Sequence, residues 1–406
     1  MRALVDLLNR SFAVPAVYQP YLAAGVIFVL AFVIVVFAAV YSGVLIFAER
    51  RVAGRIMSRI GPNRVGPHGL LQFVADAVKL IVKEDIIPDA SDRPLYRFAP
   101  YLMTMGVFAG FVVLPLSPHV IGADLNIGLL YVLAITAIAV VGVLMSGWAS
   151  NSKWSLFGGM RSAAQIVSYE IPNALALLPG VLLAGTLSTQ AIIRAQGGWP
   201  WEWYVFHSPM MLALFVIYFI AALAEGARIP FDLPEGESEL VAGYFTEYTG
   251  FRFAAYFVGE LAHTWIAGSL AVIVFLGGWQ IPGVSVAEID AAQGGMLWLY
   301  EALALAIFVL KMIFVVFLMI QLRWTLPRVR VDQMMVICWK YLLPITFVAL
   351  FLILGFMLVW PWESVGGLLW RVAMTAVGLG VVVVYFWRVR YNIVAARDRL
   401  YLKFWI

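Results

Sequence analysis

Residues 21–47 read YLAAGVIFVLAFVIVVFAAVYSGVLIF, an apolar run without a charged side chain that is long enough to cross a lipid bilayer as one helix. Of the 406 residues, 63% are hydrophobic and 12% are charged, which is more apolar surface than a soluble domain of this length can bury. Further runs of this kind lie at 98–116, 127–148, 162–186, 208–227, 253–278, 298–322, 342–361 and 366–387. We therefore predict an all-α polytopic membrane protein with about nine transmembrane helices, which form a single domain over residues 1–406.

The distribution of lysine and arginine predicts the orientation of these helices. If the N-terminus faces outward, the outward segments contain Arg2, Arg10 and Arg194, and two further basic residues, Lys311 and Arg371, lie within spans. The remaining 22 of the 27 basic residues then fall in inward loops and the C-terminal tail. Because short cytoplasmic segments are enriched in lysine and arginine, the N-terminus is predicted outside and the C-terminus in the cytoplasm. The long loops 48–97, 228–252 and 323–341 are then cytoplasmic.

Several classes of function are excluded by what the chain lacks. A single cysteine, Cys338, excludes a disulfide framework, and without a CxxC pair the chain has no ligand set for an iron–sulfur cluster. The four histidines, at 68, 119, 207 and 263, have no metal-ligand spacing. No GxGxxG or Walker sequence supports nucleotide binding. Any redox centre must therefore come from outside this chain.

The cytoplasmic loop sequence EGARIPFDLPEGESELVAGYFTEY, residues 225–248, contains six of the 23 acidic residues. Carboxylates beside hydrocarbon are costly, so such a density fits two kinds of structure. One is a solvated loop, and the other is a polar cavity in which acids transfer protons. The sequence by itself leaves both interpretations open.

A carboxylate also lies inside the fourth predicted span, in the sequence SYEIPNALALLPG, where Glu170 is near mid-membrane. Pro172 cannot donate a backbone hydrogen bond, so the carbonyl of Ser168 loses its helical partner. Broken membrane helices are tolerated where waters or neighbouring side chains satisfy the freed groups. We therefore expect a hydrated proton site at Glu170, with a purely structural, hydrogen-bonded glutamate as the alternative.

Other ionisable residues of the spans are harder to interpret. Glu260 and His263 are three residues apart and share one helix face, which indicates a common site or an interfacial pair. Glu225 ends the fifth span beside Arg228, where an end-of-helix ion pair is as plausible as proton transfer. Glu301 and Lys311 are too far apart along one helix to pair, so each needs a partner elsewhere and their roles stay open.

The first cytoplasmic loop contains the sequence GLLQFVADAVKLIVKE, which has apolar residues at helical spacing. It predicts an amphipathic helix that lies at the membrane interface, and the alternative is a helix that covers the inner end of the bundle. The preceding RIGPNRVGPHG contains two Gly-Pro pairs, which predict a rigid turn near Arg59 and Arg64. In the third cytoplasmic loop, RWTLPRVRVDQ, the arginines around Pro327 fit either a site or the positive-inside rule.

These sequences together resemble a known family. The strings ERR, RIGPNRVGPHGLLQFVADAVKLIVKE, SGWASNSKWSLFGGMRSAAQIVSYEIP, AEGARIPFDLPEGESELVAGYFTEY and RWTLPRVRVDQ occur in this order. In order and content they are similar to the quinone-site membrane subunits of proton-pumping NADH:quinone oxidoreductase, respiratory complex I. These are called the H subunit in bacteria and subunit 1 in mitochondria. The resemblance covers about residues 45–365, and the additional predicted helix and basic tail, 366–406, indicate a bacterial member.

The resemblance implies roles for individual residues. It implies a quinone cavity formed with Arg50, Arg64, Asp232, Glu235, Arg323 and Arg328. It implies an acidic proton relay made by Glu170, Glu225, Glu237, Glu239, Glu247 and Glu260. It also implies that this chain binds no metal or covalent cofactor, that ubiquinone or menaquinone is the substrate, and that FMN and iron–sulfur clusters lie on partner subunits. The implied partners are peripheral quinone-module subunits and antiporter-like membrane subunits in a bacterial plasma membrane, with no nucleic acid.

Two rival classes share part of this pattern. An anchor subunit of a membrane-bound hydrogenase or related reductase would share the loop acids but take electrons from another donor. A secondary transporter would use the acids as ion-coupling sites, and inverted repeats would favour it. The sequence shows no internal repeat, so this second alternative is the weaker one.

Overall fold

A computed structural model of the chain describes residues 19–359 except 293, together with isolated positions between 372 and 390. Within this part the regular elements are helices and there is no strand, which confirms the all-α prediction. Seven of the described helices are long and apolar enough to cross a membrane, and an eighth, Pro209–Glu225, is shorter. The chain is therefore a multi-pass membrane protein. The ninth predicted span, 366–387, and the tail lie outside the residues that can be described continuously.

We number the principal helices in chain order. They are α1 Gln19–Ile56, α2 Gln72–Val82, α3 Arg93–Gly110, α4 Gly128–Ala149, α5 Lys153–Ala184, α6 Pro209–Glu225, α7 Gly250–Phe275 and α8 Gly295–Thr325, and α9, which comprises Val331–Val336, a π-helical turn Ile337–Leu342 and Leu343–Val359. Shorter helices lie at Thr189–Arg194, Glu237–Leu240 and Val286–Ala291. Each of the first eight predicted spans coincides with one of the long helices, and several begin earlier than predicted because polar first turns extend them.

The loops fall into two groups at opposite ends of the bundle. At one end, which we call the inner end, the three long basic loops contact one another, as when Arg328 binds Asp232. At the other end, the outer end, Gln190 donates to the carbonyl of Pro118. Successive loops thus alternate between the two ends, as the positions of the apolar runs predict. That the inner end is cytoplasmic stays a prediction from charge.

Helix α7 forms the centre of the bundle. Within its most apolar 18-residue window 83% of the residues are buried, against 6% in α1. It packs against α3, α8, α1 and α6. At Gly268 the neighbouring α8 comes so close that an added Cβ would lie 3.3 Å from Val316. Consequently the polar residues of α7 face other protein elements and not lipid.

Helix α5 continues through Pro172 without the expected break. The carbonyl of Ser168, which Pro172 cannot satisfy, accepts a hydrogen bond from Cys338 Sγ at 3.1 Å instead. Cys338 belongs to the π-helical turn of α9, which lies against α5. A side chain on a neighbouring helix thus replaces the missing donor, and the helix stays regular.

The first inner loop folds against α1. Helix α2 has no buried residue and exposes Val74, Val78 and Ile81, so its amphipathic character is confirmed. An added Cβ at Gly54 of α1 would lie 2.9 Å from the backbone nitrogen of Gly61 in the Gly-Pro turn. The turn can pack this closely on α1 because residue 54 is a glycine. The turn therefore lies directly on the inner end of α1.

Candidate functional site at the inner end of the bundle

A buried carboxylate that sequence analysis did not single out, Glu49 of α1, binds two arginines. Its Oε1 lies 2.5 Å from Arg228 Nη1 and its Oε2 lies 2.7 Å from Arg323 Nη1. Burial alone would lower the pKa of Arg228, but Glu49 and the carboxylates of Glu260 and Glu235 raise it, so Arg228 stays charged. Glu49 thus joins α1 to α8 and to the stretch 225–248, which we call the acidic loop. The string ERR was the only signal for Glu49.

The acidic loop supplies a second buried ion pair. Asp232 is 4% exposed, and its Oδ2 accepts a hydrogen bond from Arg328 Nη2 at 3.0 Å. Its Oδ1 has no donor among the described residues, and the carboxyl of Glu235 lies within hydrogen-bonding reach. Burial raises the pKa of Asp232 to about 7, with a further rise from Glu235, while Arg328 and Arg323 lower it. The carboxyl of Asp232 therefore gains or loses a proton near neutral pH, beside the carboxyl of Glu235.

Glu260 of α7 is bound by a buried tyrosine of the same loop. Tyr244 donates its hydroxyl proton to Glu260 Oε1 at 2.5 Å. Burial, together with the neighbouring carboxylate, raises the pKa of Tyr244 well above its usual value of 10, so this tyrosine stays neutral. Gly243, with φ +59°, makes the turn that brings the tyrosine inward, since a Cβ there would lie 1.6 Å from the carbonyl oxygen of Pro234.

Glu225, at the end of α6, has two polar partners on other helices. Asn173 Nδ2 donates to Glu225 Oε2 at 2.6 Å, and His263 Nε2 lies 3.3 Å from Glu225 Oε1. The interpretation of Glu225 and Arg228 as an end-of-helix ion pair is wrong, because Arg228 binds Glu49 instead. The role of Asn173 as a partner of Glu225 was not predicted, since no sequence motif distinguishes a neutral side chain of this kind.

A cavity connects the Tyr244–Glu260 pair to the Glu225–His263 pair. It has about 40 Å³ of room for water, and its wall includes all four of these side chains together with apolar residues of α3 and α4. Since one buried water occupies about 10–15 Å³ on this measure, the cavity holds about three waters, and it is too small for a quinone ring. The predicted common face of Glu260 and His263 is confirmed, since both line this cavity.

Glu170 lies beyond this cavity on α5. Its Oε1 is buried and has no hydrogen-bond partner among the described residues. Asn173, which binds Glu225, is three residues further along the same helix, and residues at this spacing share a face. Glu170 therefore lies next to the Glu225 pair and has an oxygen open to a water or a proton.

Other predicted relay residues lie at the rim of this site. Glu239 is exposed and pairs with Arg161 at 2.6 Å, and Glu247 is half-buried. The backbone carbonyl of Glu247 accepts the hydroxyl of Tyr96 at 2.7 Å. The side chain of Glu237 lies outside the described part of the chain. The structure thus separates the acidic stretch into a buried group and a rim, so each interpretation of the stretch fits a different part of it.

Two predicted cavity residues lie where α1, α2 and the Gly-Pro turn meet. Arg50 Nη1 binds Asp76 Oδ2 of α2 at 2.6 Å, with about half of the arginine side chain exposed. Arg64, in the Gly-Pro turn, is exposed and forms no ion pair with a described residue. Neither side chain reaches the Glu49 group within this chain.

The outer end contains Lys311, whose role the sequence left open. Its Nζ donates to the carbonyl oxygens of Leu276 at 2.7 Å and Gly278 at 3.0 Å. The same ammonium lies 4.4 Å from the centre of the Trp203 ring. These carbonyls follow the C-terminus of α7, where a positive charge is favoured by the helix dipole.

Glu301, the other open residue, also has its partners at the outer end. One oxygen accepts a hydrogen bond from the Ser117 hydroxyl, and the other lies 2.5 Å from His119 Nδ1. The side chain of His119 is about half exposed. Neither Glu301 nor Lys311 therefore contacts the cavity at the inner end.

Comparisons with known proteins agree on one family. The sequence model of a family described as NADH dehydrogenase matches residues 28–354. The H subunit of the NADH-quinone oxidoreductase of Anaeromyxobacter dehalogenans is 52% identical over 326 residues, which cover 79% of each chain. Proteins of the same name from Chlorobium luteolum and Chlorobaculum parvum are each 46% identical, over 79% of this chain and 86% and 89% of theirs. The chain belongs to the NADH dehydrogenase family, and these relatives are named as H subunits of NADH-quinone oxidoreductase.

Proposed function

We propose that the inner end of this chain forms the membrane wall of a quinone-reduction site in a bacterial NADH-quinone oxidoreductase, and that the buried acids conduct the coupled protons. The names of the relatives support the enzyme, and the fold supports a location in the plasma membrane. One observation carries the rest of the proposal. The carboxyl groups of the buried Asp232 and the partly buried Glu260, Glu225 and Glu170 follow one another from the basic loops into the bundle, and Glu260 and Glu225 line a water-sized cavity.

Reduction of quinone to quinol takes two electrons and two protons. The electrons come from partner subunits, which in this enzyme carry FMN and iron–sulfur clusters. The quinone enters from the bilayer past α1 and α2, near the pair of Arg50 and Asp76. Its head group then approaches the ion pairs of Glu49 and Asp232, where peripheral subunits complete the site.

Negative charge that develops on the reduced quinone acts directly on these ion pairs. Arg228, Arg323 and Arg328 stabilise such charge, because in a low-dielectric wall a nearby opposite charge has a large effect. The carboxyl of Asp232, with a pKa raised to about 7, takes up or releases a proton when the local charge changes. The chain's part in the reaction is therefore to couple charge at the quinone to protonation of the acids.

Protons then move along the described contacts. Glu260 exchanges a proton with waters of the cavity, and Tyr244 holds it in position through its hydroxyl. The same waters reach Glu225, which Asn173 and His263 hold in place. Glu170, with its free oxygen, receives the proton next and passes it toward the antiporter-like partner subunits.

The rival functions are less well supported. A hydrogenase anchor would share the acids, but the similar proteins described above are named for NADH and quinone. Inverted repeats would favour a transporter, and the sequence shows none. Copurification in mild detergent distinguishes them, since the proposed complex contains NADH-oxidising subunits and a hydrogenase complex does not.

The central test replaces Glu260 by glutamine in the assembled complex. We expect Glu260→Gln to lower proton pumping and quinone reduction together by about tenfold or more, because a general acid–base group is lost. Oxidation of NADH by an artificial acceptor that bypasses the quinone should be unchanged. Glu239→Gln is the matched control, since that acid is exposed at the rim and its loss should change activity little. Equal effects of the two substitutions would show that the cavity has no special role.

A further inference from the structure

A buried glutamine of α5 holds the acidic loop at two points. Gln165 is fully buried, and its Nε2 donates to the carbonyl oxygens of Ala224 at 2.6 Å and Phe231 at 2.7 Å. One side-chain amide therefore closes the segment 224–231 against the helix. Its Oε1 is buried and has no partner among the described residues. The carbonyl groups of the segment gain two bonds, while the glutamine leaves one of its own acceptors unused.

The segment that Gln165 closes contains the residues on which the proposed chemistry depends. Arg228 lies in its middle, Glu225 lies at its start, and Asp232 follows its end. Pro230 of the same segment accepts a backbone hydrogen bond from Val329 at 3.0 Å, which ties in the loop of Arg328. The position of this one turn relative to α5 therefore sets the positions of both buried ion pairs.

Helix α5 also carries Glu170, five residues beyond Gln165. Between them, Tyr169 packs its ring against Phe231 at a centroid distance of 5.4 Å. The same helix thus holds the end of the proton path and, through Gln165, the loop at its beginning. A shift of the segment 224–231 against α5 would change the distance between Glu170 and the ion pairs of the loop.

We propose that Gln165 is a positioning residue that fixes the segment 224–231 on α5, and so sets the alignment of Arg228 and Asp232 with Glu170 during quinone reduction. This role rests on the proposed function of the same site. Gln165 does not touch the quinone and transfers no proton. It acts through the two carbonyl groups to which its amide is bonded.

A second buried glutamine offers a matched control. Gln196, at the outer end, donates through Nε2 to the carbonyl of Ile273 at 2.8 Å, and its Oε1 accepts from the backbone of Gly277 at 3.0 Å. It is 5% exposed and holds a loop onto α7. Both glutamines are buried and donate to backbone carbonyl groups. Of the two, only Gln165 holds a segment that carries titratable residues.

The test is Gln165→Glu in the assembled complex, measured as a pH profile. An ionised glutamate cannot donate and repels both carbonyl oxygens, whereas a protonated one donates to one of them. We expect quinone reduction to be about tenfold lower at alkaline pH, with a raised KM for quinone, and to recover as the pH falls. The variant keeps the titratable residues nearby, which are Glu170, Glu225, Arg228 and Asp232. The pH profile of the wild type therefore shows their contribution and is the reference for the variant. Electron transfer to an artificial acceptor should not change.

Gln196→Glu should reduce the amount of assembled complex without altering the pH profile of the complexes that form. Gln165→Met is the second variant, because it fills the same space without a donor. It should raise the KM for quinone at all pH values and show no recovery in acid. A wild-type KM and pH profile in either assembled Gln165 variant would overturn the positioning role, and so would failure of both variants to assemble. The outcome for Glu260→Gln separately decides whether the proposed function itself holds.

Discussion

The inner and outer ends of the bundle both bury charged side chains, but they satisfy them in different ways. At the outer end, Lys311 is bonded to two backbone carbonyls and lies on an indole ring, none of which exchanges protons. At the inner end, Glu260 is bonded to a tyrosine and Glu225 lies against a histidine. Charged side chains are thus held by backbone and indole groups in one place and by other ionisable side chains, the proposed proton path, in the other.

Both ends contain buried polar atoms that have no hydrogen-bond partner among the described residues, as Trp203 Nε1 shows at the outer end, but at the inner end such atoms cluster beside a cavity. Buried oxygens of Asp232, Glu170 and Asn173, and Nδ1 of His263, have no hydrogen-bond partner among the described residues, and a water-sized cavity lies beside this group. Unsatisfied buried polar atoms are costly, so they persist where water or a moving proton occupies them. The partners of a buried charge, and not its burial, therefore indicate proton transfer.

The largest expected effect is at Glu170. Replacement by glutamine removes the acid but keeps the shape, so coupled turnover and pumping should fall by about a hundredfold while quinone still binds. Glu170→Asp should retain part of the activity, because the carboxyl group is only displaced. Dye quenching in sealed inverted vesicles measures pumping. Normal pumping by an assembled Glu170→Gln complex would place this residue with the structural charges of the outer end.

A smaller, pH-dependent effect is expected at Asp232. With a pKa raised to about 7, its carboxyl is mostly neutral below pH 7 and mostly charged above it. Asp232→Asn keeps a neutral side chain at every pH, so it should resemble the wild type in acid. Above pH 7 only the wild type gains a full ion pair with Arg328, and activity should differ by about threefold to tenfold. Parallel pH profiles for the two proteins would show that Asp232 does not titrate in this range.

The smallest effect on pumping is expected at Lys311. Lys311→Met removes the bonds to Leu276 and Gly278 and should destabilise the protein by about 1–3 kcal/mol, with a lower yield of assembled complex. Each complex that does assemble should pump within about twofold of the wild type. Pumping per complex and the rate of thermal inactivation are the two measurements. A loss of pumping without a loss of stability would make the lysine part of a relay and remove the contrast between the two ends.

Much of the fold follows from the sequence because it depends on composition. The apolar runs predict the first eight spans, and the periodicity of 72–82 predicts α2, since lipid leaves few alternatives to a helix. Boundaries were less predictable. Helix α5 begins at Lys153, although the apolar run begins at 162, because Ser155, Gly158 and Gly159 of its first turns pack against protein, which an apolar run does not reveal.

The candidate site was predictable in its charged residues and not in their pairing. Glu260 and His263 could be placed on one face from spacing alone, and the cavity confirms it. The partner of Arg228 could not be inferred, because Glu49 is distant in sequence and the choice depends on how α1 and α8 pack. Tyr244 was missed for a related reason, since a neutral side chain becomes a partner only through tertiary contact.

The central position of α7 has a consequence for the synthesis of the chain. Glu260, His263 and Thr264 all bind elements that precede α7, namely the acidic loop, α6 and α1. The face at Gly268, which packs against the later α8, contacts apolar side chains. When α7 leaves the ribosome, the partner of each of these three polar groups has already been synthesised, and the surface that must wait for α8 is one that lipid can solvate. The order of segments along the chain thus lets its most buried long helix enter the bilayer with partners for these polar groups already present.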